Sequence, residues 1–178
     1  MRKLIEYTLV SADGVFESPQ KWGALEFRDE AYLRDGLGLL LSCEAMLMGR
    51  TFYESSAKIW PARHDPWATR LNAMRKIVFS STLEKVDWEN SSLVRGDVAE
   101  EVQKLKQQPG GNLLIWGHTR LARSLLKHRL LDVLDLSIHP VMVGEGRSFF
   151  HQGESARLKL MATKSFAQIV KVTYQLQY

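Results

Sequence analysis

Three short segments of the chain place glycine, hydroxyl or basic side chains directly after an apolar run. They are Gly49, Arg50 and Thr51 after Ala45–Met48; Ser80, Ser81 and Thr82 after Lys76–Phe79; and Gly117, His118, Thr119 and Arg120 after Leu113–Trp116. Where a strand enters a helix through glycine, the first N–H groups of the helix are free and favour an anion such as a phosphate. Any one of these segments is also typical of a plain turn. Together they predict one nucleotide site, because the carboxyl ends of parallel strands meet at one edge of a sheet.

Asp13 is the candidate for contact with a substrate. It lies in Ser11-Ala12-Asp13-Gly14-Val15, at the end of the first predicted strand. Asp-Gly is first of all a turn signal, so a structural turn is one interpretation. The functional interpretation places the Asp13 carboxylate in the same crevice, where it could bind the amide and amine groups of a heterocycle or help deliver a proton.

Other chemistries lack the residues that they need. Cys43 is the single cysteine, and the histidines show no metal-ligand spacing, so no metal site is predicted. No serine lies in a Gly-x-Ser-x-Gly elbow, which argues against a hydrolase of that type. Trp22, Trp60 and Trp67 could stack on a ligand, but aromatic residues more often pack a core, and His139 is likewise interpreted as structural. The histidines are His64, His118, His128, His139 and His151.

The elements that would position these residues alternate between strands and helices and then become strands alone. Lys3–Val10 alternates apolar and polar residues and predicts a first strand, whereas Ser11–Arg28 predicts a long loop of the kind that often forms a lid. Helices are predicted over Glu30–Ser42, from about Thr51, over Trp67–Met74, from Asp97 to near Gln108, and after Gly117. Besides the three apolar runs, strands are predicted at Leu93-Val94, Val133–Val141, Leu158–Ser165 and Val170–Tyr178. This order predicts an α/β fold whose mostly parallel sheet has an antiparallel C-terminal edge.

Length and composition predict one domain over residues 1–178, with ordinary globular proportions of apolar and charged residues. The net charge is +4, but basic and acidic residues are mixed and no basic run is interleaved with aromatics, which argues against a nucleic-acid partner. No apolar run is long enough for a membrane helix, and no signal peptide is recognisable at the N-terminus. A single cysteine is consistent with a reducing compartment, so we expect a cytoplasmic protein without a membrane partner.

Several of these motifs, in this order, resemble the dihydrofolate reductase-like superfamily, and more closely the stand-alone members of the riboflavin-biosynthesis reductase family (RibD C-terminal domain). The resemblance rests on Ser11-Ala12-Asp13-Gly14, on Leu47–Glu54 and on the block from Gly117 to Phe150, which includes Pro140–Gly146. It covers nearly the whole chain. A three-layer αβα sandwich is the fold that it implies.

The resemblance also implies a function, namely an NADPH-dependent reductase that transfers hydride to a small heterocyclic, pteridine- or pyrimidine-like substrate. By this analogy Gly49, Arg50 and Thr51 hold the pyrophosphate region, and Ser80, Ser81 and Thr82 face the adenosine ribose and its phosphate. Gly117, His118, Thr119 and Arg120 would cradle the diphosphate from the other side, with Gly144 and Gly146 on the neighbouring rim. The loop of residues 11–28 would cover the nicotinamide, Asp13 would contact the substrate, and the protein would be a homodimer.

Two departures from the family pattern keep an alternative open. His118 stands where the family has the second glycine of a Gly-Gly pair, and a side chain there restricts the approach of a phosphate. The acid that dihydrofolate reductases carry in their first helix falls on Leu33 here, with Asp29, Glu30 and Asp35 nearby. The alternative is a catalytically silent, nucleotide- or ligand-binding dimeric protein of the same fold.

Overall fold

An eight-stranded sheet forms the middle layer of the protein. The computed structural model describes residues 1–149 and 155–178; Phe150, which ends the block used for the family resemblance, and His151 lie outside the described residues. The strands are β1 (Leu4–Ser11), β2 (Cys43–Gly49), β3 (Arg75–Phe79), β4 (Ser91–Val94), β5 (Asn112–Trp116), β6 (Val133–His139), β7 (Arg157–Ser165) and β8 (Val170–Gln177). The helices are α1 (Glu30–Ser42), α2 (Arg50–Ala57), α3 (Pro66–Ala73), α4 (Val98–Gln107) and α5 (Arg120–Lys127), with a short 3-10 helix at Trp60–Ala62.

The strand order is β4-β3-β2-β5-β1-β6-β8-β7. Strands β1 to β6 pair in parallel, whereas β8 pairs antiparallel with β6 and with β7. The chain therefore leaves a position open between β1 and β2. After β4, helix α4 leads the chain back to this position, which β5 fills. The predicted parallel body with an antiparallel C-terminal edge is confirmed.

Helices cover both faces of the parallel part of the sheet. On one face Leu40 of α1, Tyr53 of α2 and Leu71 of α3 join a buried cluster with the sheet. On the other face Val102 of α4 and Leu125 of α5 pack against a second cluster. Burial of these apolar side chains is the main stabilising contribution to the fold, and the three-layer αβα prediction is confirmed.

Local signals explain where the helices begin. Asp29, Asp65 and Asp97 accept hydrogen bonds from backbone N–H groups of the first turns of α1, α3 and α4, as good N-caps do. Most predicted bounds differ from the observed ones by one or two residues. β2 and β4 each begin two residues before the predicted start, and β6 ends at His139 rather than Val141, because Pro140 has no N–H to contribute to the ladder.

Because helices cover both faces of the sheet, polar side chains of the strands are also buried. Glu6 and Thr8 of β1 are almost fully buried beneath α4 and α5, and Asp135, Ser137 and His139 of β6 are buried on the opposite face. Thr8 and His118 are hydrogen-bonded to Glu6, Lys171 is paired with Asp135, and His139 Nδ1 is hydrogen-bonded to the Ser137 carbonyl, so most of these side chains have the polar partner that burial requires. Among the described residues, no helix is both long and apolar enough to cross a membrane.

Candidate active site

The carboxyl ends of four neighbouring parallel strands lie side by side at one edge of the sheet. Because β3, β2, β5 and β1 are adjacent, the structure brings the segments after Phe79, Met48, Trp116 and Val10 side by side. The three predicted phosphate segments and the Asp13 turn therefore share one edge. Ligands of open α/β sheets bind at this edge, next to the point where the strand order reverses.

The N-terminus of α2 is the most open position for binding an anion along this edge. Gly49 is its N-cap and makes no side-chain hydrogen bond to the helix, whereas the other four described α-helices are capped by an aspartate or threonine side chain. A Cβ at Gly49 would meet no atom within 4 Å, so the space above the turn is open. Arg50 and Thr51 follow on the first turn and are exposed. Uncapped N–H groups, a positive helix end and an exposed guanidinium suit a phosphate.

Arg50 links the α2 segment to the hydroxyl segment after β3. Its Nη1 donates a hydrogen bond to Thr82 Oγ1 at 2.8 Å, and its Nε donates to Glu54 Oε1 at 2.9 Å. Ser80 Oγ accepts from the backbone N–H of Leu83 at 3.0 Å, which fixes the turn that holds Ser81 and Thr82. The Arg50 side chain is 50% exposed, so it is both anchored and accessible to a ligand.

Arg95 supports the same turn and was not singled out from the sequence. It directly follows β4, and its Nη1 donates to the Ser81 carbonyl at 3.1 Å while its Nη2 donates to the Leu83 carbonyl at 2.5 Å. A basic residue directly after the short predicted strand at Leu93-Val94 was the signal that could have identified it. Arg50 and Arg95 thus bring two positive charges to one hydroxyl-rich turn.

The turn between β5 and α5 is narrower, and its geometry rests on Gly117. This residue has φ = 82°, in the left-handed region that favours glycine. The Thr119 side chain caps α5 by accepting from the N–H of Ala122 at 3.3 Å, and the Thr119 N–H donates to the Gly117 carbonyl at 2.8 Å. Arg120 is exposed at the first position of α5. The N–H groups of Thr119 and Ala122 are therefore already hydrogen-bonded within the protein.

The His118 side chain turns inward, away from the edge. Only 2% of the residue is exposed, and its Nδ1 is hydrogen-bonded to Glu6 Oε1 at 2.8 Å. Its ring contacts Phe16 edge-on and Phe149, with centroid distances of 5.3 and 4.4 Å. His118 can therefore face a ligand only through its backbone, and its side chain does not occupy the space above the turn.

Asp13 holds the glycine-rich loop that follows β6. Its carboxylate accepts from the N–H groups of Val143 and Gly144, at 3.1 and 2.8 Å, and from Ser11 Oγ at 2.5 Å. The Ser11 hydroxyl and these two backbone N–H groups lower the pKa of Asp13 to about 2. Asp13 is thus a carboxylate at neutral pH, which argues against delivery of a proton, and its contact with a substrate stays a prediction.

A second carboxylate fastens the same two loops together. Glu17 accepts from Arg147 Nε at 2.9 Å, and the Phe16 N–H donates to the Arg147 carbonyl at 3.2 Å. Gly144 and Gly146, predicted for the rim, have φ values of 77° and 104° and give the loop its tight path. The first part of the predicted lid is therefore pinned to residues 141–147.

The acids near the start of α1 all have structural partners. Asp29 caps α1, Glu30 pairs with Arg34, and Asp35 binds both Lys164 and Lys171. Burial raises the pKa of the Asp35 carboxyl, but hydrogen bonds and charge from the two lysines outweigh burial and lower it. Leu33 is half-buried. Dihydrofolate reductases carry an acid in their first helix. None of these three acids is left unpaired to take that place.

An αβα sandwich with its ligand crevice at the carboxyl ends of parallel strands is the architecture of dihydrofolate reductase-like proteins. The dihydrofolate reductase of Enterococcus faecalis, solved with NADP(H), matches this fold with a TM-score of 0.62 at 16% identity, over 99% of this chain and 97% of that one. The family model of the RibD C-terminal domain matches residues 2–172, and the chain belongs to this family.

Two further proteins are similar to this chain. A putative riboflavin biosynthesis protein from Shewanella sp. PV-4 has a TM-score of 0.79 at 18% identity and 99% coverage of both chains. The Bacillus subtilis (strain 168) protein YyaP is 29% identical over 138 residues, which are 74% of this chain and 73% of YyaP.

Proposed function

We propose that the protein is an NADPH-dependent reductase that transfers hydride to a small heterocyclic substrate of the pteridine or pyrimidine kind. Membership of the RibD C-terminal domain family and the dihydrofolate reductase-like fold support a reductase-type function. The single observation that carries the proposal is the bond between Arg50 and Thr82, which joins two predicted phosphate segments at one sheet edge. We also propose that the protein works as a homodimer.

The residues at this edge fit a phosphorylated dinucleotide. The uncapped N-terminus of α2, with Gly49 and Thr51, would receive the pyrophosphate, and Arg50 with the Ser80–Thr82 turn would receive the ribose phosphate. The β5–α5 turn, with Thr119 and Arg120, would bound the pyrophosphate from the other side. When bound, NADPH supplies a hydride at C4 of its nicotinamide, and the protein's task is orientation and exclusion of water.

The alternative, a silent binding protein of the same fold, has one observation in its favour. Asp13 was the predicted substrate contact, yet its carboxylate is engaged by Val143, Gly144 and Ser11. With a pKa of about 2 it cannot supply a proton near neutral pH. A reductase would then take its proton from another group or from water, whereas a binding protein would need none. Consumption of NADPH in a screen of heterocycles distinguishes the two.

Titration of the purified protein with NADPH and separately with NADH tests the cofactor assignment. We expect tighter binding of NADPH, because its additional phosphate meets Arg50 and the Ser80–Thr82 turn. Arg50→Ala should weaken NADPH binding by about 1–3 kcal/mol, the range for a hydrogen bond to a charged group, and should affect NADH less. Calorimetry or nicotinamide fluorescence gives both affinities.

Arg34→Ala is the matched control for this test. Arg34, like Arg50, is an exposed helix arginine that pairs with a glutamate four residues away, but it lies on α1 outside the edge. Its removal should leave both affinities unchanged. An Arg50→Ala variant that binds NADPH like the unaltered protein would refute the assignment of Arg50.

A further inference from the structure

One segment of the chain, residues 102–131, contains no acidic residue. It holds six of the 24 Lys and Arg and none of the 20 Asp and Glu, so the rest of the chain has more acidic than basic residues. The net charge of +4 therefore originates in this segment. Two of its six basic residues pair with acids just beyond its ends, Lys104 with Glu101 and Lys106 with Asp132. The other four lie on α5 or directly after it.

These four basic residues form a surface that we call the α5 basic face. Its members are Arg120, Arg123, Lys127 and Arg129. The first three recur at intervals of three and four residues, so they lie on one side of the helix. Together with Ser124 they line a surface groove of about 290 Å³. Arg120, Lys127 and Arg129 are exposed.

The α5 basic face does not serve the stability of its own helix. Arg34 and Arg50, on other helices, each pair with a glutamate four residues away. In contrast, Arg120, Lys127 and Arg129 form no ion pair within the part of the chain that the structure describes. Like charges three or four residues apart destabilise a helix, and a cation at the N-terminus, as at Arg120, is unfavourable. The charges of this face are therefore better explained by a partner.

Arg129 gives independent support, because its backbone adopts a conformation that favours glycine. Its φ is 56°, in the left-handed region. Its N–H donates to the Leu126 carbonyl at 3.0 Å, and the Leu130 N–H donates to the Leu125 carbonyl at 2.9 Å, so Arg129 ends α5 in the way a glycine commonly does. A basic side chain at a position where glycine would be more stable indicates a use for its charge.

The surroundings of the face favour an acidic protein segment over other polyanions. No Phe, Tyr or Trp lies within residues 117–131 to stack on the bases of a nucleic acid. No apolar residue of α5 is exposed to insert into a lipid surface. The helix rises about 10 Å from Arg120 to Lys127, the length of about three residues of an extended chain. Arginine binds carboxylates with two parallel hydrogen bonds.

We propose that the α5 basic face is a docking surface for an acidic, extended segment of a partner protein. Carboxylates of that segment pair with Lys127 and Arg129 and continue along the helix toward Arg120. Lys127 and Arg129 lie outside the proposed cofactor site, so the docking surface does not depend on the proposed function. Because the charges are exposed, the interaction is sensitive to salt.

A fluorescein-labelled peptide of ten alternating glutamate and serine residues is the probe, because its carboxylates lie on one side of an extended chain. Fluorescence anisotropy should show binding that weakens at least about tenfold between about 50 and about 300 mM sodium chloride. The same peptide with glutamine in place of glutamate should bind at least about tenfold more weakly. Failure of the acidic peptide to bind, or equal binding of the glutamine peptide, would overturn the inference.

Lys127→Glu locates the binding on α5. It should weaken binding of the acidic peptide by about tenfold, because an attraction becomes a repulsion. Lys58→Glu is the matched control, since it changes the net charge equally at an exposed residue that follows α2, on the opposite face of the sheet. It should change the affinity by less than about twofold. Equal weakening by both variants would show that net charge alone attracts the peptide and would overturn the inference.

Arg129→Gly should change stability and binding in opposite directions. It removes the left-handed strain, so the melting temperature should rise by about 2 °C, and it removes one charge, so peptide binding should weaken by about threefold. The higher melting temperature also establishes that the variant is folded. Unchanged peptide binding in both Arg129→Gly and Lys127→Glu would overturn the inference.

Two further probes test the choice of partner. A ten-nucleotide oligothymidylate and vesicles of phosphatidylglycerol present phosphates without a protein chain. Tighter binding of either than of the acidic peptide would overturn the assignment of an acidic protein segment. The NADPH affinity of Lys127→Glu and Arg129→Gly should equal that of the unaltered protein. A protein that binds the acidic peptide as expected but does not bind NADPH would refute the proposed function and leave the docking surface standing.

Discussion

At the scale of single residues, His118 shows how a side chain can replace a family glycine without filling the ligand site. Gly117 has the positive φ of this turn, whereas His118 does not, so the second position imposes no conformational need for glycine. The side chain is accommodated because β1 presents the buried Glu6 directly beneath it. Glu6 also accepts from Thr8 Oγ1 at 2.9 Å. The contact with Glu6 therefore accommodates the side chain inside the protein. We expect the His118 side chain to matter for the stability of the fold rather than for the affinity for a ligand.

This account predicts that His118→Ala weakens the fold far more than it weakens cofactor binding. Removal of one partner from a buried, hydrogen-bonded pair typically costs about 3–5 kcal/mol, because the other partner stays buried without compensation. We expect a loss of about 3 kcal/mol in the free energy of unfolding, measured with urea, and an NADPH affinity of the folded variant within about twofold of the original.

His128→Ala is the control for the His118 variant, since His128 is an exposed histidine at the end of α5. Its effect on the free energy of unfolding should stay within about 0.5 kcal/mol, as for most surface substitutions. A His118→Ala variant that keeps full stability but loses NADPH binding would contradict the account.

At the scale of elements, Asp13 and Glu17 join two loops that are far apart in the sequence and were predicted independently. The loop after β1 and the loop of residues 141–147 are also joined by backbone hydrogen bonds, among them Ala12 N–H to Val141 O at 2.8 Å and Phe149 N–H to Gly14 O at 2.7 Å. Together they form one double layer above β1 and β6. The two loops are therefore fastened together as one unit, and we expect this fastening to depend on the charge of Asp13.

The pH dependence of Asp13 gives a test with a definite sign. Its pKa falls from an ordinary value of 3.8 to about 2 in the folded protein, so the carboxylate stabilises the fold above pH 4. That contribution is lost as pH falls from about 4 to 2, because protonation then removes the bonds to Val143 and Gly144. Asp13→Ala lacks the group altogether.

We therefore expect the difference in melting temperature between the unaltered protein and Asp13→Ala to be constant above pH 4. It should shrink progressively between pH 4 and pH 2, as followed by calorimetry at closely spaced pH values. A difference that stays constant through this range would show that Asp13 does not act as a charged clamp.

The elements were predictable to the extent that periodicity and caps are local signals. Asp29, Asp97 and the apolar run Leu113–Trp116 act within a few residues, and the helices and strands that they mark are present. Which face of a strand is buried was not predictable in the same way. Lys171 is buried whereas its neighbour Val170 is 44% exposed, because Asp35 and Asp135 lie within reach of the lysine in three dimensions.

The candidate site likewise has features that local sequence signals predict and features that depend on residues far apart in the chain. Glycine and hydroxyl turns after strands were visible in the sequence, and the sheet order brings them together. The inward turn of His118 depends on Glu6, 112 residues away, and the packing of aromatic rings around Trp116 brings together five separate elements. No periodicity in one segment encodes such partners, so these features required the structure.

At the scale of the whole molecule, the sheet ends in a strand that is exposed along its entire length. Every residue of β7 is exposed, and Leu158, Leu160 and Met161 are exposed to 44%, 55% and 51%. Leu158 and Leu160 pair with Leu176 and Tyr174 of β8, so they extend an apolar strip on one face of the sheet. Long, exposed, apolar edge strands are a template for pairing with another chain. We therefore expect a second copy of the chain to cover this strip.

The resulting prediction is a homodimer that depends on β7. Light scattering after gel filtration should give about twice the chain mass of 20.4 kDa at micromolar concentration. Leu160→Asp should shift the protein to the monomer mass, because it places a charge in the centre of the strip that the second copy would bury. Leu41→Asp is the control, since Leu41 is a 61% exposed leucine at the end of α1, away from β7. Dissociation by both variants alike, or a monomeric unaltered protein, would exclude β7 as the dimer surface.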